Sequence, residues 1–246
     1  MQDKGVYVYC VAKSKGPVSL GTIGIGQNEV FTINSKELCA VVHRCKAEPY
    51  KSDDAETVKE WIKIHQKVID ESSKQFGTVI PLSFDVIIKG NGKDVTLWLE
   101  NESESLKKKL EKVEDKQEFG IQIFWDKELV AKQVAEENEE IKRLKEEVKQ
   151  LSKGKAFFCK QNMEKLLKKE VEKRADKEFK ELYNNVKGFV EDIKVERLKE
   201  TNMLLSLSCL VHKDKVKQLG VMLDKINKIE GYSVRFTGPW PPYSFV

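Results

Sequence analysis

Three histidines, His43, His65 and His212, and five cysteines, at positions 10, 39, 45, 159 and 209, are the side chains best suited to holding a metal or attacking a substrate. Neither set has the spacing for it. A zinc site draws on pairs such as C-x-x-C or H-E-x-x-H, which bring two ligands to one turn, and the chain contains no such pair. An odd number of cysteines in 246 residues argues against a disulfide framework and for reduced, mostly buried thiols. Cys10 and Cys209 lie inside apolar runs, where cysteine acts as a small hydrophobe. His65 falls on the apolar stripe of a helical pattern, so it reads as a core imidazole bonded to a neighbouring backbone group rather than as a general base.

Other catalytic patterns fail for similar reasons. Gly21-Thr22-Ile23-Gly24-Ile25-Gly26 has neither the dinucleotide-binding order nor a P-loop lysine, and extended sequence follows it. Ser83 lacks the glycine flanks of a nucleophile elbow. Lys107-Lys108-Lys109 and Lys168-Lys169 sit among Glu111, Glu170 and Glu172, which makes them solvated helix faces rather than phosphate sites. No catalytic, cofactor-binding or metal-binding residue is therefore assigned.

Composition narrows the remaining classes. The chain is 40% hydrophobic, and 44 basic residues stand against 40 acidic ones, leaving +4. These charges are interleaved rather than gathered into one basic block, so a nucleic-acid partner is not implied. The apolar run from Met203 to Val211 is too short to cross a bilayer. Met1-Gln2-Asp3-Lys4 leads straight into strand-like sequence instead of a signal peptide, so the expected location is cytoplasmic, with no membrane partner.

The periodicities predict an α+β fold in two domains. Val6 to Val11 is apolar on both alternating faces, as in a strand covered on both sides. Thr22-Ile23, Ile25, Val30 to Ile33 and Leu38 to Val42 give further extended runs. Asp53-Asp54-Ala55-Glu56 reads as a capping box opening a helix with Val58, Ile62, His65 and Ile69 on one face. Val79 to Ile88 is extended, with Pro81 confining it to an edge or bend. Lys93 to Asp115 fits a broken helix, closing an N-terminal mixed α/β domain over residues 1–116.

Residues 117–246 repeat a different order: a strand over Phe119 to Trp125, a long helical segment, strands at Ile193 to Leu198 and Leu204 to Val211, a helix carrying Val216, Leu219, Leu223 and Ile226, and a last strand. This is the split βαβ order of a ferredoxin-like domain. Its first crossover, about 127–191, predicts an inserted antiparallel helical hairpin broken at Lys153-Gly154-Lys155. Tyr232, Val234 and Phe236 place one face of the last strand on the core, with Arg235 turned away.

The strand runs into Gly238-Pro239-Trp240-Pro241-Pro242-Tyr243-Ser244-Phe245-Val246, where three prolines and three aromatics occupy a terminus that usually frays. Trp240 reads as an inward anchor, with Tyr243 and Phe245 turned toward a partner. The candidate protein-binding residues are Arg235, Pro239, Trp240, Pro241, Pro242, Tyr243 and Phe245.

This ending resembles the terminal signature of the gas vesicle protein F/L family. Weaker similarities follow in order along the chain: Val6-Tyr7-Val8-Tyr9, Leu38-Cys39-Ala40-Val41-Val42, His65, Val79-Ile80-Pro81-Leu82-Ser83-Phe84, and Glu118-Phe119-Gly120-Ile121-Gln122-Ile123. Ser83 and Asp85 stand where the family usually has arginine and a following glycine, and Phe119 and Gln122 replace its tryptophan and lysine. The resemblance implies a non-enzymatic accessory or minor structural protein of gas vesicles, without cofactors. Its partners would be the hydrophobic shell protein and other accessory proteins, and its task nucleation or stabilisation of the growing vesicle. The alternative is a cytosolic ligand-binding or regulatory ferredoxin-like module. An RNA-binding role lacks the aromatic pattern of a stacking platform on its strands.

Overall fold

A computed structural model describes residues 4–246; Met1-Gln2-Asp3, read above as leading into the first strand, lie outside the described residues. The fold is α+β, with two antiparallel sheets and, among the described residues, seven α-helices. Two compact units emerge. One comprises the chain up to Glu118 together with Pro239–Val246, and the other is Phe119–Gly238. The tail, expected with the C-terminal half, therefore groups with the N-terminal unit.

The first sheet is built around β1 (Lys4–Lys13), whose interior residues are all buried. Strands β2 (Ser19–Gly21), β3 (Val30–Ser35) and β4 (Leu38–Lys46) lie to one side of it. On the other side the chain passes twice along β1, as β5 (Val79–Pro81) and β6 (Ile87–Lys89), with residues 82–86 looping out between them. Pro81 sits on this edge, where its missing amide costs no ladder bond. The β1–β4 register shifts between Val8 and Cys10. As a result Tyr9 and Cys10 both face one side, while Val6, Val8 and Val11 face the other.

Helix α1 (Ala55–Phe76) covers the tyrosine side of this sheet, and α2 (Gly92–Asn101) and α3 (Ser103–Val113) cover the valine side. The start of α1 is capped by Asp54, whose carboxylate accepts the amides of Glu56 and Thr57, rather than by a box on Asp53. Its buried face is His65, Val68, Ile69 and Ser72, with Ile62 47% exposed. The expected stripe holds at His65 and Ile69 and fails at Ile62, because the sheet also meets the helix along Trp61, Ile64 and Val68. Ile25, read as extended, belongs to a short 3-10 turn over Ile25–Gln27.

The second sheet and its helices follow in the order β7 (Lys116–Trp125), α4 (Lys127–Glu137), α5 (Glu139–Gln150), α6 (Lys153–Lys187), β8 (Asp192–Val195), β9 (Met203–His212), α7 (Val216–Asn227) and β10 (Tyr232–Trp240), with sheet order β10-β7-β9-β8; the second unit takes β7 from Phe119 and β10 up to Gly238. Helices α4 and α5 return against the 35-residue α6. Pairings such as Leu144 with Cys159 and Glu137 with Arg174 make the two arms antiparallel. The arm breaks at Asn138, whose side chain accepts the amides of Glu140 and Ile141. The reversal comes at Leu151 and Ser152, and Gly154 lies within α6 instead of breaking it. Strand β8 stops at Val195 and Leu198 is 47% exposed, so the strand expected through Leu198 is shorter. Gly231 closes the α7–β10 turn at φ +83°, with the Leu129 side chain 2.8 Å from where a Cβ would stand. Among the described residues, no helix is long and apolar enough to cross a membrane.

Candidate functional site: the C-terminal tail and a buried tyrosine and histidine cluster

Strand β10 runs on through Pro239 and Trp240 and stops before Pro241 and Pro242, whose missing amides end the ladder, and beyond them side chains hold the tail. It closes into a single 3-10 turn over Tyr243–Phe245, in which the Phe245 amide donates to the Pro242 carbonyl at 3.0 Å. Glu118 is the clamp. Its buried carboxylate accepts the Ser244 amide at 2.8 Å and the Ser244 hydroxyl at 2.6 Å, two charge-assisted bonds to one residue. That grip turns Phe245 inward, leaving it 5% exposed, with the Lys112 ammonium 5.6 Å from its ring centre. Val246 packs on the valine-side core of the first sheet. The Tyr243 hydroxyl donates to Gln66 Oε1 on α1 at 3.3 Å.

The expected roles of the aromatics are therefore exchanged. Trp240, read as the inward anchor, is 51% exposed, and Phe245, read as partner-facing, is the anchor. Tyr243 lies between these extremes at 37%. Arg235 belongs to the second unit, where Nη1 donates to Gln122 Oε1 at 3.2 Å and the guanidinium stands 5.1 Å from the Phe124 ring centre. Nothing local in the sequence marks Lys112 or Gln66 as a tail contact, and Glu118 stands there only as part of a family-like strand. One signal was there: a carboxylate opening an otherwise apolar strand, which must find a partner if the strand is buried.

A second polar constellation lies between the first sheet and α1. Tyr7 donates its hydroxyl to His65 Nδ1 at 2.9 Å, because His65 Nε2 donates to the Leu82 carbonyl at 3.1 Å and fixes the tautomer. Tyr9 and Tyr50 hydroxyls meet His43 Nδ1 and Nε2 at 2.8 and 2.9 Å. The Ile25 amide completes the chain by donating to the Tyr9 hydroxyl. Burial pushes His43 down to about 4, lowers His65, and raises Tyr50 to about 12, so the network is neutral near pH 7. Desolvation likewise raises Cys10 to about 12 and Cys39 to about 11, which keeps both thiols protonated and unreactive. Among the described residues, no three histidine, cysteine or carboxylate side chains converge as metal ligands. This arrangement ties α1, the 82–86 loop and Tyr50 to the first sheet.

Asp85 ties the 82–86 loop to that cluster. Its amide donates to the Tyr7 hydroxyl at 3.0 Å, and its carboxylate accepts the Tyr50 amide at 2.9 Å. It does so at φ +71°, a region that favours glycine. The side-chain bond therefore offsets backbone strain at a place where glycine would be unstrained. Asp85→Ala, which keeps the strain and loses the acceptor, is expected to lower stability by about 1–2 kcal/mol in urea denaturation. Asp85→Gly should fall closer to the natural protein; equal losses in the two variants would contradict the strain account.

Residues 5–246 match the family model described as gas vesicle synthesis protein GvpL/GvpF. The chain is 29% identical over 255 residues to gas vesicle protein L1 of Halobacterium salinarum, covering 99% of this chain and 90% of that one. It is 29% identical over 238 residues to gas vesicle protein L of Haloferax mediterranei, covering 93% and 74%. The crystal structure of gas vesicle protein GvpF from Anabaena sp. has a TM-score of 0.78 to it at 18% identity, covering 98% of both chains.

Proposed function

The chain belongs to the gas vesicle synthesis protein GvpL/GvpF family, and on that premise we propose that it is a non-enzymatic assembly protein that binds the hydrophobic shell protein of gas vesicles. In this reading it works in the cytoplasm beside other accessory proteins and helps to nucleate or stabilise the growing vesicle. The observation that carries the reading is a family match spanning residues 5–246, including the proline and aromatic tail. A shell subunit apolar enough to build a gas-filled wall is prone to aggregate, and a partner that covers its surface until incorporation meets that need.

The second unit supports a modular view. Its order of elements and its sheet order β10-β7-β9-β8 fit a ferredoxin-like, split βαβ module with the helical hairpin inserted in the first crossover. In the first unit, the clasp through Glu118 and Phe245 holds the tail while leaving Trp240 and part of Tyr243 in solvent. We assign the docking role to these two rings and the flanking prolines Pro239 and Pro241; Pro242, also read as a partner contact, is buried.

Co-expression and co-purification with the shell protein test the reading. Trp240→Ser is expected to keep the protein folded, with a small drop in melting temperature, and to weaken shell-protein binding roughly thirtyfold, the effect of truncating an aromatic hot spot. Undiminished binding by this variant removes the tail's role, whereas failure of the natural protein to bind removes the shell-protein reading itself.

A further inference from the structure

Among the described residues, no strand lies beside the far end of β4 on the side away from β1. The Lys4 carbonyl and the Val8 amide bond to Gly90 and Val86, so these residues of β1 direct their backbone groups toward β6. In the register they stand opposite Lys46 and Val42, with Val6 opposite Arg44 between them. An antiparallel residue sends its amide and carbonyl to the same side, so Val42, Arg44 and Lys46 turn theirs away from β1. Val42 meets Phe31 on β3, but β3 begins at Val30 and does not reach further. Among the described residues, nothing pairs with the backbone groups of Arg44 or Lys46.

Space opens on both faces of this exposed edge. On the valine side lies a cavity of about 610 Å³ with Val6, Phe31 and Ile33 in its wall. On the tyrosine side lies a cleft of about 460 Å³ against Cys45, Tyr50 and Trp61, with Lys46 and Lys51 in its lining. Arg44 borders both. The surrounding charge is positive: Lys4, Arg44, Lys46 and Lys51 outnumber Glu29 and Glu48, and Glu29 is already engaged by the Ser19 hydroxyl.

We propose that the open end of β4 is a strand-addition site for an extended segment of another polypeptide, with apolar side chains on one face and carboxylates on the other. Backbone pairing to Arg44 and Lys46 would supply affinity, and alternate side chains would enter the two cavities. Directly opposed residues share a face, so Lys4, Arg44 and Lys46 lie on the side of Val6 and Val42, where carboxylates suit them, while apolar residues suit Cys45, Tyr50 and Trp61 on the other side. A second copy of this chain is disfavoured as occupant, because two such ends would bring like charges together. The site is separate from the tail and stands without the shell-protein reading.

The test uses the full chain and a fluorescein-labelled, acetylated peptide of alternating valine and glutamate. Lys46→Pro removes one outward amide without touching the β1 ladder, as proline is tolerated on a solvent-facing edge. The peptide is expected to bind the natural chain, to bind Lys46→Pro roughly tenfold or more weakly, and to lose to its valine–lysine counterpart nowhere. Hydrogen exchange at the amides of Arg44 and Lys46 in the natural chain should slow when peptide is added, a readout that survives if the proline variant misfolds. Absent binding, equal binding by Lys46→Pro or by the valine–lysine peptide, or unchanged exchange at both amides would overturn the proposal. Concentration-dependent dimerisation abolished by Lys46→Pro would overturn it too, by making a second copy the occupant.

Discussion

Phe245→Ala is expected to cost about 3–5 kcal/mol, enough to lower the melting transition of the N-terminal unit by roughly 10 °C. The ring is 5% exposed, so truncation leaves a cavity as well as losing apolar burial. The consequences spread along the turn. Without the ring, Ser244 loses its fixed position, and the two bonds it donates to Glu118 weaken together, leaving a buried carboxylate short of donors. Differential scanning calorimetry checks the size of the effect, and hydrogen exchange of the Ser244 amide checks the mechanism. Trp240→Ser is the comparison, since that ring is 51% exposed and its loss should lower the transition by much less than the loss of Phe245. If the two variants melt alike, the tail is not held by a Phe245 anchor.

Acidification is expected to remove about 3 kcal/mol of stability through His43 alone. Burial lowers its value from 6.5 to about 4 in the folded protein. Between those limits the unfolded chain binds the proton and the folded chain does not, so stability is fully present above pH 6.5 and is lost as pH falls toward 4. A shift of this size, at about 1.4 kcal/mol per unit, gives the stated figure. His65 is shifted in the same direction and adds to the loss. Urea denaturation of the natural protein and of His43→Gln over this range isolates the contribution, because carboxylate titration is common to both and cancels in the difference. Above pH 6.5 the variant should be the less stable, since two tyrosine hydroxyls lose their bridging imidazole. The gap should close by about 3 kcal/mol on acidification. A gap independent of pH would mean that His43 is not buried neutral.

Much of this arrangement can be read residue by residue before folding. The apolar faces of Val6 to Val11 predict a covered strand, and β1 is buried along its interior. Leu219, Leu223 and Ile226 at helical spacing predict the buried face of α7. The core role of His65 follows from its place on an apolar stripe, and its Nε2 does bond a backbone carbonyl. Errors arise where an interaction joins distant residues. Ile62 fits the helical stripe as well as Ile69 does, yet only contact with the sheet selects which side of α1 is covered. The break in the helical arm at Asn138 depends on its side chain capping the next helix, a local signal outweighed by the continuous charge and apolar pattern around it. Asp85 was visible only as a departure from a glycine; its φ and its bond to Tyr50 give that departure a physical meaning.

By itself, the sequence determined the kinds of elements and their order, and its final residues pointed to the gas vesicle family. Alternation, helical spacing and proline's fixed angle act over a few neighbouring residues, so they are written in the chain directly. Only the tertiary structure decided that Phe245 is buried and Trp240 exposed, that Glu118 grips Ser244 across 126 positions, and that β4 overhangs β3. Burial and pairing belong to surfaces assembled from distant segments, and tail aromatics of similar apolar character are told apart only by which one meets such a surface.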